Sequence, residues 1–171
     1  MSREIDPQTI EAISTSVAKK INHETIKRQK QDRDWRLRNT KLLLKNYHIL
    51  KEHCVNVDAS IKEYEESIFD PEEIELESIM ASKAKTRKMV WYIDEMLAAY
   101  ARYADKAGEA AQRRYTTLDQ YYIRPKRMNY DAMGEMFSVS ERTVRRDLED
   151  ARKEFSVFLF GVFAIEDLSD E

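Results

Sequence analysis

The sequence predicts an all-α protein, and its composition and apolar spacing both favour this fold class. Among 171 residues there are only three Gly and three Pro, so the chain has few of the residues that a sheet protein uses in its turns. The composition is 42% hydrophobic and 36% charged. Along most of the chain the apolar residues recur at steps of three and four, which is the spacing of helices with one buried face.

The first helix is expected to begin at Asp6-Pro7. Asp is a favoured N-cap, and Pro is tolerated at the first helical position because its missing N–H would have no partner there. No further Gly or Pro occurs before Pro71. Apolar residues then form a stripe at alternate steps of four and three, the period of a coiled-coil seam: Leu43, Tyr47, Leu50, Cys54, Val57, Ile61, Tyr64 and Ile68.

A second long helix is expected after Asp70, which together with Glu73 forms a capping-box pattern around Pro71. The two helices indicate a long helical hairpin over residues 1–108. The sequence leaves open whether the two seams bury each other or one of them pairs with a second copy of the chain. The second seam ends near Gly108 and consists of Thr86, Val90, Ile93, Leu97, Tyr100 and Ala104.

Charge is segregated within this hairpin, although the formal net charge of the whole chain is only -3. Residues 19–51 contain eleven Lys and Arg and few acidic residues, whereas residues 58–77 contain nine Asp and Glu and a single Lys. Blocks of opposite sign are typical of solvated faces or of mutual pairing. Contact of the basic block with DNA phosphates is a third option.

Three short helices are predicted within residues 113–155. Pro125 ends the first, Asn129 caps the second, and Ser140 caps the third after a tight turn. A short helix, a turn with one buried apolar residue (here Val139) and a longer helix form the layout of a helix-turn-helix, which we assign to residues 109–163. The expected apolar positions are Tyr115, Leu118, Tyr122 and Ile123, then Tyr130, Met133, Met136 and Phe137, then Val144, Leu148, Ala151 and Phe155.

The outward face of the third helix suits DNA. With Val144 buried, Arg142 and Arg146 point away from the core and Arg145 lies beside them. An Arg side chain pairs well with guanine or phosphate, and the free N–H groups of a helix N-terminus favour phosphate. Basic residues before the second helix would hold the flanking backbone. The candidate DNA-binding residues are therefore Arg124, Lys126, Arg127, Ser140, Arg142, Thr143, Arg145 and Arg146.

The same arginines also have acidic neighbours at helical spacing. Arg145 and Arg146 lie three or four positions from carboxylates, namely Glu141, Glu149 and Asp150. Residues 108–154 contain ten basic and nine acidic residues, so the region is not basic in bulk. A salt-bridged surface helix without a role in DNA binding is therefore the alternative interpretation.

The segment YDAMGEMFSVSERTVRRDLEDARKEF resembles the promoter-recognising helix-turn-helix of region 4 in sigma-70-type factors. The wider arrangement is similar to the ArpU and RinA-like late-gene regulators of phages and prophages. This resemblance implies a DNA-binding activator of late genes. This sequence departs from the family pattern at Ser138, where Gly is usual. If the turn needs a positive φ there, Ser would cost modest strain. The resemblance places Ser140, Arg142, Thr143, Arg145 and Arg146 toward DNA and Met133, Gly134, Val139, Val144 and Leu148 in the core.

The expected partner is double-stranded DNA. One such module offers a small interface, so a second copy of the chain or RNA polymerase is expected to supply further contacts. Two other functions remain open: a small-terminase-like DNA-packaging protein, which also joins a helix-turn-helix to oligomerising helices, and a coiled-coil module that binds another protein without DNA.

Nothing in the sequence indicates an enzyme, a cofactor or a metal site. His48 and His53 are five residues apart on a helix, about 140° around its axis, so they do not face one ion. Cys54 falls on the apolar seam, and as the sole cysteine it is compatible with a reducing compartment. The N-terminus has no signal-peptide pattern and no apolar run has the length of a membrane span, so we expect the cytoplasm of a bacterial host cell and no membrane partner.

Two further apolar features lead to expectations. Trp91 lies beside the second seam and is expected in the core. The segment from Phe155 to Ile165 is apolar on most sides, so it is expected to fold back over the hairpin or to contact another protomer. Residues 164–171 form an acidic tail.

Overall fold

The structure, a computed structural model, describes residues 7–54, 83–165 and 168. Within these ranges the regular elements are helical and no strand occurs, which confirms the predicted all-α class. The α-helices are α1 (Pro7–His53), α2 (Lys83–Ala107), α3 (Glu109–Leu118), α4 (Tyr130–Phe137) and α5 (Glu141–Phe160). α3 continues into a π-helical turn, the π turn (Asp119–Ile123), and α5 into a 3-10 turn (Gly161–Ala164).

The chain divides into two units, Met1–Trp35 and Arg36–Glu171. The described residues of the first unit belong to the N-terminal part of α1. Every side chain in residues 14–32 is exposed, including that of Ile21, which is 60% exposed. This part of α1 therefore buries no face of its own.

In the second unit, α1 and α2 use the two predicted seams as core. On α1, Leu43, Tyr47 and Leu50 are buried, and the Tyr47 Oη donates a hydrogen bond to Asp94 Oδ1 of α2 at 2.5 Å. Cys54 is half-buried in the turn that ends α1. On α2 every predicted seam residue is buried: Thr86, Val90, Ile93, Leu97, Tyr100 and Ala104.

The seam of α2 also holds α5. The Tyr100 ring stacks on Phe155 with centroids 6.2 Å apart and meets Tyr115 of α3 edge-on at 5.3 Å. Its hydroxyl donates to Glu154 Oε2 at 2.6 Å. Since Tyr100 is fully buried, these contacts seat the C-terminal half of α5 against α2.

The three C-terminal helices enclose a core close to the predicted one. Tyr115, Ile123, Tyr130 and Phe137 are half-buried. The fully packed positions are Leu118, Tyr122, Met133, Val144, Leu148, Ala151 and Phe155.

Two predicted core residues lie at the surface. Met136 is 46% exposed: it lies about 60° around α4 from the buried Met133 but about 160° from the buried Gly134, so it is at the border of the buried face. Trp91 is 63% exposed, because it lies about 100° around α2 from the buried Val90. Both are near a buried neighbour in sequence but turned away from it in the helix.

The apolar end of the chain folds back only in part. Leu159 and Phe160 are buried, and the Tyr92 Oη of α2 donates to the Leu159 carbonyl at 2.9 Å. Beyond Gly161, whose φ of 65° ends α5, Val162 and Phe163 are 69% and 62% exposed. The segment is therefore buried as far as Phe160, exposes Val162 and Phe163, and buries Ala164 again.

Several predicted features fall outside the described residues. They are the cap Asp6, the seam positions Val57, Ile61, Tyr64 and Ile68, the acidic block 58–77, the turn at Asp70 to Glu73, and most of the tail 164–171. None of the helices in the described ranges combines the length and apolarity that a bilayer span requires.

Candidate nucleic-acid interface

The turn between α4 and α5 is built by local hydrogen bonds that the sequence predicts. Asn129 caps α4, its Oδ1 accepting from the Ala132 N–H at 2.8 Å. Ser140 caps α5, its Oγ accepting from the Thr143 N–H at 3.2 Å. Between the helices, Ser138 is left-handed with φ 54° and ψ 41°. The positive φ that the sequence left open at Ser138 is thus present, with its modest backbone strain.

Gly134 lets the turn close tightly. The Val139 N–H donates to the Gly134 carbonyl at 2.9 Å, and a Cβ at position 134 would stand 2.9 Å from the Val139 carbonyl oxygen. Val139 itself is half-buried at the corner. Any residue larger than Gly would push the turn away from α4, so Gly134 sets the spacing between α4 and the start of α5.

The first turns of α5 present arginines to solvent. Arg142, Arg145 and Arg146 are all exposed, whereas Thr143 is half-buried. The Thr143 Oγ1 lies 2.9 Å from the Ser140 Oγ, so the two hydroxyls share a hydrogen bond at the helix N-terminus. Within the described part of the chain, Arg142 pairs with no carboxylate. The predicted recognition residues therefore share one exposed surface.

Two of these arginines have partners. Arg145 packs on the Tyr130 ring at 4.1 Å, and its Nε donates to Glu141 Oε1 at 2.7 Å. Arg146 Nε lies 3.8 Å from Asp150 Oδ2. The intrahelical pairs of the alternative interpretation therefore exist. Exposed pairs of this kind contribute about 0–1 kcal/mol, which is little to lose when a phosphate or base edge competes.

A stack of rings, which the sequence analysis did not predict, supports Arg145. Tyr121 of the π turn stacks on Tyr130 with centroids 5.2 Å apart and rings 14° from parallel. Burial, followed by the hydrogen bond with Tyr121, raises the pKa of Tyr130 to about 12. The two aromatic residues and the arginine are spread over 24 positions and belong to three elements, so no short motif could reveal them.

The inner face of α5 carries carboxylates bound to arginines of α3. Arg113 Nε donates to Asp147 Oδ2 at 2.6 Å, and Arg114 Nη2 lies 2.7 Å from Glu154 Oε1. Asp147 is buried, and the Glu154 side chain is 17% exposed. Two of the acidic residues of α5 are thus neutralised inside the fold and do not face a ligand on the outer surface.

The loop after the π turn contains the other predicted contacts. Lys126 and Arg127 are exposed and pair with no carboxylate in the described ranges. Arg124 is exposed too, but its Nε donates to Asp119 Oδ2 at 2.6 Å. That carboxylate holds Arg124 at the end of the π turn.

Acidic residues border the outside of the turn. Asp131, Glu135 and Glu141 line a shallow concavity together with Gly134 and the turn residues 138–140. A polyanion would be repelled there. Any approach of DNA to α5 must therefore come from the side of Arg142 and Arg146 and not across α4.

The described residues hold no group of three His, Cys, Asp or Glu side chains placed to bind a metal ion. His48 and His53 are half-buried on α1, and the buried Nε2 of each has no hydrogen-bond partner among the described residues. They lie outside the surface formed by α4 and α5.

Comparison with known proteins adds no assignment. No family model, curated protein or solved structure matches this chain. The resemblance to ArpU and RinA-like regulators stays a prediction.

Proposed function

We propose that this chain is a sequence-specific DNA-binding protein that regulates transcription and reads the major groove with the N-terminal half of α5. The proposal rests on the exposure of Arg142, Arg145 and Arg146 in the first turns of α5. Two carboxylates of this helix, Asp147 and Glu154, are turned inward onto arginines of α3, while Glu141 and Glu149 stay exposed. A helix that presents guanidinium groups beside a capped N-terminus is suited both to guanine edges and to phosphates.

The geometry of the turn supports the same function. α4 has eight residues and α5 has twenty, and three residues, one of them left-handed, separate them. This is the proportion of a supporting helix and a recognition helix. The close backbone contact at Gly134 and the cap at Ser140 define where α5 begins, so the arginines of its first turns have a defined direction.

The class of genes is proposed from the resemblance of residues 130–155 to sigma-like regulators of phages. On this basis, the chain would be an activator of phage or prophage late genes in the cytoplasm of a bacterial host. One helix-turn-helix buries roughly 600–1,000 Å² on DNA, which is a small interface. A second copy of the chain or RNA polymerase would supply the remaining contacts.

A protein-interaction module without DNA binding is the second candidate, and one observation favours it. Arg145 and Arg146 already have acidic partners on their own helix. If those pairs only solubilise the surface, removing the arginines will leave any ligand affinity unchanged.

The test is binding to DNA duplexes selected from a randomised pool, together with DNA from upstream of the protein's own operon. Fluorescence anisotropy would follow the wild type and Arg142→Ala/Arg146→Ala on selected and scrambled duplexes over a series of salt concentrations. We expect the variant to lose about 30-fold or more in affinity for the selected duplex, and most of its preference over scrambled DNA, because each of the two bidentate base contacts contributes about 1–3 kcal/mol.

The matched control is Arg102→Ala/Lys106→Ala, which removes the same charge from exposed positions of α2. It should change affinity only slightly. If the wild type does not bind any duplex at low salt, the proposal is wrong and the second candidate stands. The proposal also fails if both double variants weaken binding equally, since net charge alone would then explain it.

A further inference from the structure

A basic groove lies between α1 and the second half of α5. It has a volume of about 340 Å³ and is lined by Leu37, Arg38, Lys41, Glu149, Arg152 and Lys153. Four of these side chains are cationic and one is a carboxylate. The residues come from segments more than 100 positions apart, so the groove exists only in the folded chain.

The cations on the two sides of the groove differ in whether they have a carboxylate partner. Arg152 is only 18% exposed, and its Nη2 lies 3.4 Å from Glu149 Oε2, so the single carboxylate already has a cation beside it. Arg38 and Lys41 are exposed and pair with no carboxylate in the described part of the chain. With Arg152 balanced by Glu149, two of the three remaining positive charges of the groove come from α1 and the third is Lys153 of α5.

Arg38 and Lys41 stand on a firmly packed stretch of α1. Between them, Asn39 is buried and Thr40 is completely inaccessible, and the Thr40 Oγ1 donates to the Arg36 carbonyl at 2.9 Å. The backbone that carries the two cations is thus held by the core. A ligand of the groove would meet a site whose main chain is already in place.

The groove continues the exposed face of α5. Lys153 follows Arg146 by seven residues, which places the two within about 20° of one another around the helix and about 10.5 Å apart along it. The major groove of B-DNA is about 12 Å wide. If the first turns of α5 lie in the major groove, the basic groove therefore reaches the phosphates at its edge.

We infer that the groove between α1 and α5 is a binding site for the DNA backbone, with Arg38 and Lys41 as its phosphate ligands. This inference rests on the proposed function and extends it. It assigns one short part of the basic block 19–51 to DNA, and it divides the interface into base contacts at the start of α5 and phosphate contacts beside α1. Phosphate contacts set position and affinity without reading sequence.

The test compares Arg38→Ala/Lys41→Ala with the wild type on the selected and the scrambled duplex over a salt series. Each neutralised phosphate contributes about 0.9 to the slope of log K against log salt. Loss of two contacts should make this negative slope less steep by about two on both duplexes, and should weaken binding roughly ten-fold at moderate salt. The ratio of the two affinities should not change.

Two further variants make the result specific. Lys19→Ala/Lys20→Ala removes two exposed charges from the same helix outside the groove and should leave the slope unchanged. Arg38→Lys/Lys41→Arg keeps the charge and should restore it. Because Arg38 and Lys41 are exposed, circular dichroism should show unaltered folding for all four proteins.

The outcomes separate this inference from the proposed function. If the wild type binds and Arg142→Ala/Arg146→Ala loses its preference, but Arg38→Ala/Lys41→Ala keeps the wild-type slope, the groove does not bind DNA and the recognition helix still does. An equal fall in slope for Lys19→Ala/Lys20→Ala would also overturn the inference. Absence of any binding by the wild type overturns both.

Discussion

Gly134 and Val139 are in direct backbone contact across the turn that joins α4 to α5. The Val139 N–H donates to the Gly134 carbonyl at 2.9 Å, and a Cβ on residue 134 would stand at the same 2.9 Å from the Val139 carbonyl oxygen. This pair defines the distance between the supporting helix and the helix that carries the exposed arginines. It also leads to the first prediction.

Gly134→Ala should destabilise the fold. Ala gains about 1 kcal/mol of helix propensity over Gly, but the clash with a main-chain oxygen cannot be relieved by a side-chain rotation and costs about 1–3 kcal/mol. We expect a net loss and a fall in Tm of a few degrees in thermal unfolding. Glu135→Ala, at an exposed position of the same helix, is the control and should not lower the Tm. A Gly134→Ala variant as stable as the wild type would show that the turn yields freely.

Ser138→Gly should stabilise the protein. A left-handed Ser costs about 1 kcal/mol that Gly does not, and part of that gain is returned because Gly is more flexible in the unfolded chain. The expected rise in the free energy of unfolding is therefore about 0.5 kcal/mol, measured by urea denaturation. Ser138→Ala keeps the same backbone demand and should give no rise. An equal rise in both variants would contradict backbone strain as the cause.

Asp147→Asn should be strongly destabilising although the residue lies on the proposed recognition helix. The change leaves the Arg113 guanidinium, now at 2.6 Å from a carboxylate oxygen, without a charged partner in a partly buried site. We expect a loss of about 2 kcal/mol or more in the free energy of unfolding. Glu135→Gln removes an acid from an exposed position of α4 and should cost less than about 0.5 kcal/mol. Equal losses in the two variants would mean that the Arg113–Asp147 pair contributes no more to the free energy of unfolding than an exposed carboxylate does.

Stability should fall at alkaline pH through Tyr100. Burial, and then the hydrogen bond to Glu154, raise the pKa of this phenol far above the ordinary value of 10. The folded state therefore keeps the proton while the unfolded state loses it above pH 10, so this contribution to stability is complete below pH 10 and declines as pH rises further. Above pH 10, the free energy of unfolding of Tyr100→Phe should fall less steeply with pH than that of the wild type, by about 1.4 kcal/mol per pH unit. An unchanged slope above pH 10 in urea titrations would contradict this assignment.

Glu141→Gln should strengthen binding to DNA if the proposed function is right. The substitution removes a negative charge from the first turn of α5 and releases Arg145 from its ion pair. We expect a gain of a few-fold in affinity on selected and scrambled duplexes alike, since the repulsion acts on phosphates. The measurement is the same anisotropy titration, with Glu95→Gln on α2 as the charge-matched control. A lower affinity for Glu141→Gln would show that the pair positions Arg145 for binding.

The helical elements could be predicted where local signals are strong. Asn129 and Ser140 cap α4 and α5 as expected, and the described seam residues of α1 and α2 are buried or half-buried. The prediction was wrong for Met136 and Trp91, which are exposed. A large apolar side chain near a seam is not in the core unless its direction around the helix agrees, and that direction depends on which neighbour covers the helix.

The sequence by itself determined the all-α class, the caps Asn129 and Ser140 and the exposure of Arg142, because these depend on interactions within a few residues. Only the tertiary structure decided that Asp147 faces Arg113, that Tyr121 and Tyr130 support Arg145, and that cations of α1 lie beside Arg152 and Lys153. Each of these depends on which face of one helix packs against another element of the fold. A helix presents cations and carboxylates on several faces, and only packing selects the ones that stay in solvent.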